Sequence, residues 1–353
     1  MKKIIVLILI LAGSYITKAQ RPFGKVDQWL TEQVSAMGGR LMLAIYKDGK
    51  VVYSHSVNNM GIKDRVLIRL VAQKQGKPAD LSDYTSVTRQ PIASCSKWLS
   101  AALVMTFVDE GKLKLTDTLG QFFPQFSRNK KGSITISECL SHTTGIHSPD
   151  LRENLAEIKQ VNSMEEEIDK IAAYPMEGQP SKVFRYSNTG LQIAGAVIEK
   201  ISGKRFETLF AERIATPLEM KHTDFGKGKL ALPAGGAVST VDDYMNFLIM
   251  ILNKGAFKGK RVLSESSIAQ MQINSISADV KIAYTPAEAT GLGYGYGEWI
   301  TGNVVSSPGL FGAFPWINRE KNYCGFLMAF YLKSEGRQAK YNQLQKLVDM
   351  EIQ

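Results

Sequence analysis

Cysteine is scarce in this sequence: three residues, at positions 95, 139 and 324. A small exported domain held by disulfides carries an even, patterned set. At most one bridge can form here, and burial of the thiols as small apolar groups is the expectation. Histidine is nearly as scarce. His55, His142, His147 and His222 form no HExxH and no Cys/His cluster, so the common zinc signatures are missing and no metal or other cofactor is expected. After the first dozen residues no apolar run is long enough to span a bilayer, so no spanning segment is expected in the mature chain. Positive charge is in excess at +10, but it is scattered, with short clusters only at Lys130-Lys131 and Lys227–Lys229. With no basic helix or aromatic stacking platform in view, nucleic-acid binding is not expected.

What is present begins with MKKIIVLILILAGSYITKAQ. Lys2 and Lys3, a short apolar run from Ile4 to Ala12, and the small residues of Thr17-Lys18-Ala19 read as a secretory signal. Cleavage after Ala19 leaves 334 of the 353 residues. It removes three lysines and no acid, which lowers the formal charge from +10 to +7. No cysteine follows the cleavage point, so no lipid anchor is expected there. The destination is the periplasm or the exterior. The remaining chain is 44% hydrophobic by the composition of the whole, ordinary for a globular protein of one large or two interleaved domains.

The periodicity divides the chain into three stretches. Arg40–Tyr46 and Val51–Ser56 alternate apolar and polar residues around Asp48-Gly49, a hairpin signal. Residues 57–90 are polar and read as loop-rich. From Cys95 to Glu110 apolar residues fall at helical spacing, and Gly111 supplies a stop. Capping boxes at Thr135–Glu138 and Ser163–Glu166, then helices at Leu191–Ile201 and Phe206–Ile214, make the middle helical. Thr240 is a plausible N-cap for Val241–Leu252. Glu298–Ser306, Gly309–Asn318 and Tyr323–Leu332 read as strands, and Gln338–Ile352 as a terminal amphipathic helix. The order predicts an α+β fold: an antiparallel sheet of N- and C-terminal strands flanked by helices, with a mostly helical insertion. The expected division is a signal at 1–19 and one domain at 20–353, its sheet part at about 20–90 and 225–353 and its helical part at about 91–224.

Ser94-Cys95-Ser96-Lys97 opens the Cys95–Glu110 helix. Ser94 and Lys97 stand three apart and share one helical face. Free N–H groups and the positive dipole end favour a developing oxyanion there, and a buried lysine of lowered pKa can take a serine proton. The same four residues also suit an ordinary N-cap followed by a solvated lysine. Tyr186-Ser187-Asn188 suits a turn capping the helix that follows. Cys95 lies about 100° around the helix from Ser94 and reads as a buried filler. His142 reads as a structural loop residue bonded to backbone, the four tryptophans as core, and Gly291–Gly297 (GLGYGYG) as a glycine-rich strand approaching the site.

The surrounding text is more specific than any one motif. PIASCSKWLSAALVMTFVDEGKLKLTDTLGQFFPQF, ITISECLSHTTGI, FRYSNTG, AGGAVSTVDDYMNFL and SSPGLFGAFPWINREKNYCGFLM occur in order. Together they resemble the serine β-lactamase and penicillin-recognising family, especially its class C-like esterase and D-peptidase branch, over roughly residues 25–350. The resemblance implies that fold and an acyl-enzyme mechanism. It makes Ser94 the nucleophile, Lys97 its proton acceptor, Tyr186 a partner in proton transfer and Asn188 the residue that orients lysine and substrate. It places the backbone N–H groups of Ser94 and Leu310 in the oxyanion hole.

The third motif departs from the family. Lys or His, then Thr or Gly, then Gly is usual; here the residues are Ser307-Pro308-Gly309, with no cation and, at Pro308, no backbone donor. Ser307 and Gly309 remain as expected substrate-binding positions. The expectation is a serine hydrolase acting on an ester, amide or peptide carbonyl in a small-molecule or peptide-like substrate, cell-wall fragments included, rather than an efficient β-lactamase. The competing class is a non-catalytic penicillin- or wall-ligand-binding module on the same fold.

Overall fold

The computed structural model describes residues 22–74, 76 and 78–352; the leader read at residues 1–19 lies outside them. The first element is helix α1 (Gly24–Gln33), and the chain then enters strands β1 (Arg40–Lys47) and β2 (Lys50–Asn58). Asp48 and Gly49 both take left-handed backbone angles, φ 49° and 83°, as a tight hairpin turn requires. Helix α2 (Ile62–Lys74) follows, then α3 (Cys95–Asp109), α4 (Leu151–Ile158), α5 (Thr189–Ser202) and α6 (Val241–Leu252), with further helices between them. The C-terminal part supplies β3 (Gly293–Tyr294), β4 (Trp299–Thr301), β5 (Val304–Ser306), β6 (Phe314–Asn318) and β7 (Tyr323–Ala329), and ends in α7 (Arg337–Glu351).

The seven strands form one sheet in the order β2-β1-β7-β6-β5-β4-β3, antiparallel throughout. The N- and C-terminal strands β1 and β7 lie side by side as its second and third strands, where Leu41 pairs with Ala329 and Lys47 with Tyr323. Consecutive residues of a strand face opposite ways. Leu41, Leu43 and Ile45 therefore pack with Trp29, Leu30, Leu344 and Val348 of α1 and α7, while Met42 and Ala44 join the core built on α3 and α6. β1 is thus buried on both faces from Arg40 to Ile45. The alternation read in the sequence marks two different cores, not a core side and a wet side.

Caps fix the helices where the sequence places them. Thr135 and Glu138 form the reciprocal capping box of Ile136–Leu140. Ser163 accepts from the Glu166 N–H, and Thr240 from that of Asp243. All four tryptophans are buried, and the three cysteines are buried free thiols.

Three expectations are corrected. Residues 57–90 contain α2, which went unread because its six aliphatics are interrupted by charges and none of its side chains is buried. The stretch 298–306 is two strands, turning at Gly302 with φ 55°. The stretch 309–318 becomes a strand only at Phe314. Before that, the Gly309 and Gly312 N–H groups bond to Ala313 and Gly309 carbonyls in a compact loop, and Leu310 sits in that loop, not on a strand.

Gly325 faces Trp316 across β6 and β7. A Cβ on Gly325 would come within 2.4 Å of the indole, and that indole is wholly buried. Gly325→Ala should therefore destabilise the protein by about 1–3 kcal/mol, the ordinary cost of overpacking. Thermal unfolding should show a midpoint several degrees lower; an unchanged midpoint would mean the sheet yields freely there.

Candidate active site

Ile92-Ala93-Ser94 leads into α3 through a strained turn, with Ala93 at φ 45°. Ser94 is the N-cap residue, and its side chain makes no capping bond, which leaves the hydroxyl for chemistry. The glycine-rich turn near residue 235 clamps this helix start. Ile92 N–H donates to Ala237 carbonyl, Ala237 N–H to Ser96 Oγ, and Ser100 Oγ to Pro233 carbonyl.

Lys97 lies one turn in, 1% exposed. Its Nζ is 2.8 Å from Ala234 carbonyl, 3.2 Å from Asn188 Oδ1 and 3.3 Å from Ser94 Oγ. Among the described residues no carboxylate pairs with it, and burial lowers its pKa to about 7. A neutral amine has two N–H donors and one lone pair. Ala234 and Asn188 accept the two donors, and the lone pair is left for the Ser94 hydroxyl. Lys97 also lies 4.7 Å above the Tyr186 ring.

Tyr186 follows the short strand Val183–Arg185, and its N–H donates to Tyr284 carbonyl. Burial pushes its phenol far up, while a hydrogen bond with Ser94 pulls the other way, so the hydroxyl stays protonated and can donate. Trp299 packs 5.1 Å from its ring and His142 4.8 Å. His142 differs from expectation. Its carbonyl accepts from Arg185 N–H, but its ring Nε2 meets the Tyr294 hydroxyl at 3.0 Å. Burial, then the nearby Lys97, holds its pKa well below the usual value, so this ring braces Tyr186 as a neutral group.

Asn188 caps α5 by position, yet Ser187 Oγ accepts the Thr189 N–H. The Asn188 amide is thereby free for Lys97. Its Nδ2 donates to Oδ1 of Asn154, 3.0 Å away on α4. Asn154 is buried and also bonds Tyr174, whose hydroxyl donates to Glu157. This chain from Glu157 to Lys97 fixes the Asn188 amide so that its oxygen, not its nitrogen, faces the amine. Asn154 escaped the sequence reading: a lone asparagine in a mostly polar helix carries no motif.

Leu310 lies with Ser94 along a cleft of about 900 Å³, lined also by Lys97, Asp150, Tyr186 and Trp299. Among the described residues, neither the Ser94 nor the Leu310 backbone N–H donates within the protein, so both are open to an oxyanion. Ser307 and Gly309 are not on the cleft wall. The buried Ser307 hydroxyl is turned to the carbonyls of Ser94, 3.2 Å, and Gly297, 3.0 Å. Gly309 is pressed on Ile92 carbonyl, where a Cβ would come to 2.2 Å. Both pack against the turn that carries Ser94, away from the cleft where they were expected, and half-buried Pro308 lines the cleft between them. Of the stretch 291–297 only Gly293–Tyr294 is strand; Gly297 lies in the turn before Trp299 and backs on Lys97 carbonyl with room for no Cβ. Cys95 points away, its thiol against Ala313 carbonyl.

The described basic side chains on the cleft wall are all engaged. Lys97 is held as above. Arg185 forms a bidentate pair with Glu177 at 2.5 and 2.7 Å, and His147 meets the same carboxylate. Arg337, behind the wall residue Glu288, pairs with it and with two carbonyls.

A family model described as Beta-lactamase matches residues 26–349. The chain belongs to the beta-lactamase family of serine hydrolases. A candidate beta-lactamase of Bacteroides dorei DSM 17855 superposes with a TM-score of 0.76 at 26% identity, over 93% of this chain and 98% of that one. EstCE1, a hydrolase with promiscuous acyltransferase activity, superposes with a TM-score of 0.72 at 18% identity, over 94% and 99%, a likeness of fold. Protein flp of Staphylococcus aureus (strain MW2) is 28% identical over 141 residues. That alignment spans 39% of this chain and only 28% of the relative's length.

Two outcomes follow from this arrangement. Turnover should rise with pH through a midpoint near 7, because only the neutral Lys97 amine can accept the Ser94 proton; a flat kcat/KM profile between pH 5.5 and 8.5 would contradict this. Asn154→Leu should lower kcat about tenfold, the loss of one well-placed hydrogen bond, with KM changed less than twofold. A rise in KM at constant kcat would instead make Asn154 a substrate contact.

Proposed function

We propose that the protein is an exported serine hydrolase that works through an acyl-enzyme on esters or amides carrying no carboxylate next to the scissile bond. The observation that carries this reading is the pairing of an intact Ser94–Lys97–Tyr186–Asn188 constellation with a cation-free wall at Ser307-Pro308. In the proposed cycle Ser94 Oγ attacks the carbonyl carbon as its proton passes to Lys97 Nζ. The oxyanion receives the N–H groups of Ser94 and Leu310, each donor worth roughly 3–4 kcal/mol in comparable sites. The leaving group departs with a proton delivered through Tyr186, and water then releases the acyl group, its proton taken by the same amine–phenol pair. Export rests on the leader at residues 1–19.

The substrate class follows from charge. A carboxylate buried beside Ser94 would need a cation or several strong donors. Arg185 and Arg337 are committed to Glu177 and Glu288, and the Ser307 hydroxyl is spent on backbone. A charged hydrogen bond contributes about 1.5–3 kcal/mol against about 1 for a neutral one. Penicillins, cephalosporins and D-Ala-D-Ala peptides all carry such a carboxylate; neutral esters lose nothing by the missing cation.

Fluorophosphonate labelling read by intact mass should modify the wild-type chain once and leave Ser94→Ala unmodified with an unchanged melting profile. Labelling that persists in Ser94→Ala would overturn the nucleophile. The value of kcat/KM for a p-nitrophenyl ester of short chain should exceed that for a chromogenic cephalosporin by at least tenfold; equal values would overturn the argument from charge. A chain that is labelled but turns over neither substrate would be a binding module on this fold.

A further inference from the structure

Helix α2 is the one described helix of more than two turns with no buried residue. Ile62 is 82% exposed, and Val66, Leu67 and Leu70 are each about half exposed. Helices this short draw their stability from an apolar face packed on something, and a contiguous exposed aliphatic stripe marks an interaction surface. Two local bonds close its start: Asp64 accepts the Gly61 N–H and Arg65 Nε donates to Met60 carbonyl. Its far side, at Ile68, Val71 and Ala72, is half-buried.

The chemistry of the exposed side says what covers it. At 100° per residue, Ile62, Val66 and Leu70 fall within about 80° of one another. Arg65 and Arg69 border that stripe on one side, Lys63 and Lys74 on the other. Asp64, the only acid in the helix, is turned back to the Gly61 N–H. Among the described residues Lys63, Arg69 and Lys74 enter no ion pair. An aliphatic stripe flanked by free cations matches a membrane interface, where the apolar face sinks to the acyl boundary and the cations meet phosphates. A second copy of this basic chain would bring like charges together around the stripe. α2 also leaves the sheet at the end where Asn58 pairs with Arg40, and Leu41 with Ala329. The chain beyond Ala329 exposes Leu332 at that same end and reaches Ser334 on the cleft rim.

We propose that α2 docks the protein peripherally on anionic phospholipid bilayers, with Ile62, Val66 and Leu70 inserted and Lys63, Arg69 and Lys74 on lipid phosphates. The inference is independent of the reaction catalysed.

The test is co-sedimentation of a chain beginning at Pro22, which keeps every described element, with vesicles of phosphatidylcholine alone or with 30% phosphatidylglycerol. Wild type should bind the anionic vesicles at least tenfold better than the neutral ones, and less as salt rises from 0.1 to 0.5 M. Ile62→Ser/Val66→Ser/Leu70→Ser should lose at least tenfold in partitioning. Lys63→Gln/Arg69→Gln/Lys74→Gln should lose the preference for phosphatidylglycerol. Circular dichroism melting checks that both variants keep the fold, as substitutions at exposed sites should. No binding to anionic vesicles, or binding that both variants retain, would overturn the proposal. So would a dimer in sedimentation velocity that the serine variant abolishes, since the face would then be an interface between copies.

Discussion

Lys97 is an amine taken out of water with, among the described residues, no carboxylate to compensate it. Ionised, such a group would carry a large desolvation cost, and the protein meets it by letting the pKa fall to about 7. Most of the neighbouring structure serves to keep that amine dry and aimed. The 297 turn presses on its backbone, the 234 carbonyl and Asn188 take its hydrogens, and the Tyr186 ring covers it. Each contact comes from a different part of the chain. The site exists only when the sheet, the nucleophile helix and the helical region have closed on one another.

The same packing explains why the third motif can change without loss of the nucleophile turn. Ser307 holds the Ser94 and Gly297 carbonyls together, and Gly309 lets the loop approach Ile92. These two positions support the turn on which Ser94 stands. Pro308 and Leu310 line the cleft instead, so the wall there presents a ring and an aliphatic side chain.

Much of this was legible in the sequence where local chemistry and tertiary structure agree. The Asp48-Gly49 hairpin, the Thr135, Ser163 and Thr240 caps and the S-x-x-K spacing are short-range signals, and each is found in place. What went unread depends on distant partners. Asn154 matters only because α5 brings Asn188 beside it. Ser307 looked like a substrate contact until its hydroxyl was seen bonded across more than two hundred residues of chain. The strand expected at 309–318 was shortened by Pro308 and by a loop closing on itself through Gly309 and Gly312. Helix α2 escaped because its aliphatics do not face a core, so the periodicity that betrays an amphipathic helix packed on its own protein is blurred.

The chemistry proposed for the site depends on the protonation state of Lys97 in the resting protein. Lysine-selective ¹³C labelling, with the Lys97 side-chain resonance assigned by its loss in Lys97→Arg, gives that state directly as a function of pH and without any substrate. A titration midpoint near 7 is expected for Lys97, well below the ordinary lysine value of about 10.4. A Lys97 midpoint near that ordinary value would contradict the proposed chemistry, because the amine would then be an ammonium at neutral pH with no lone pair to offer Ser94.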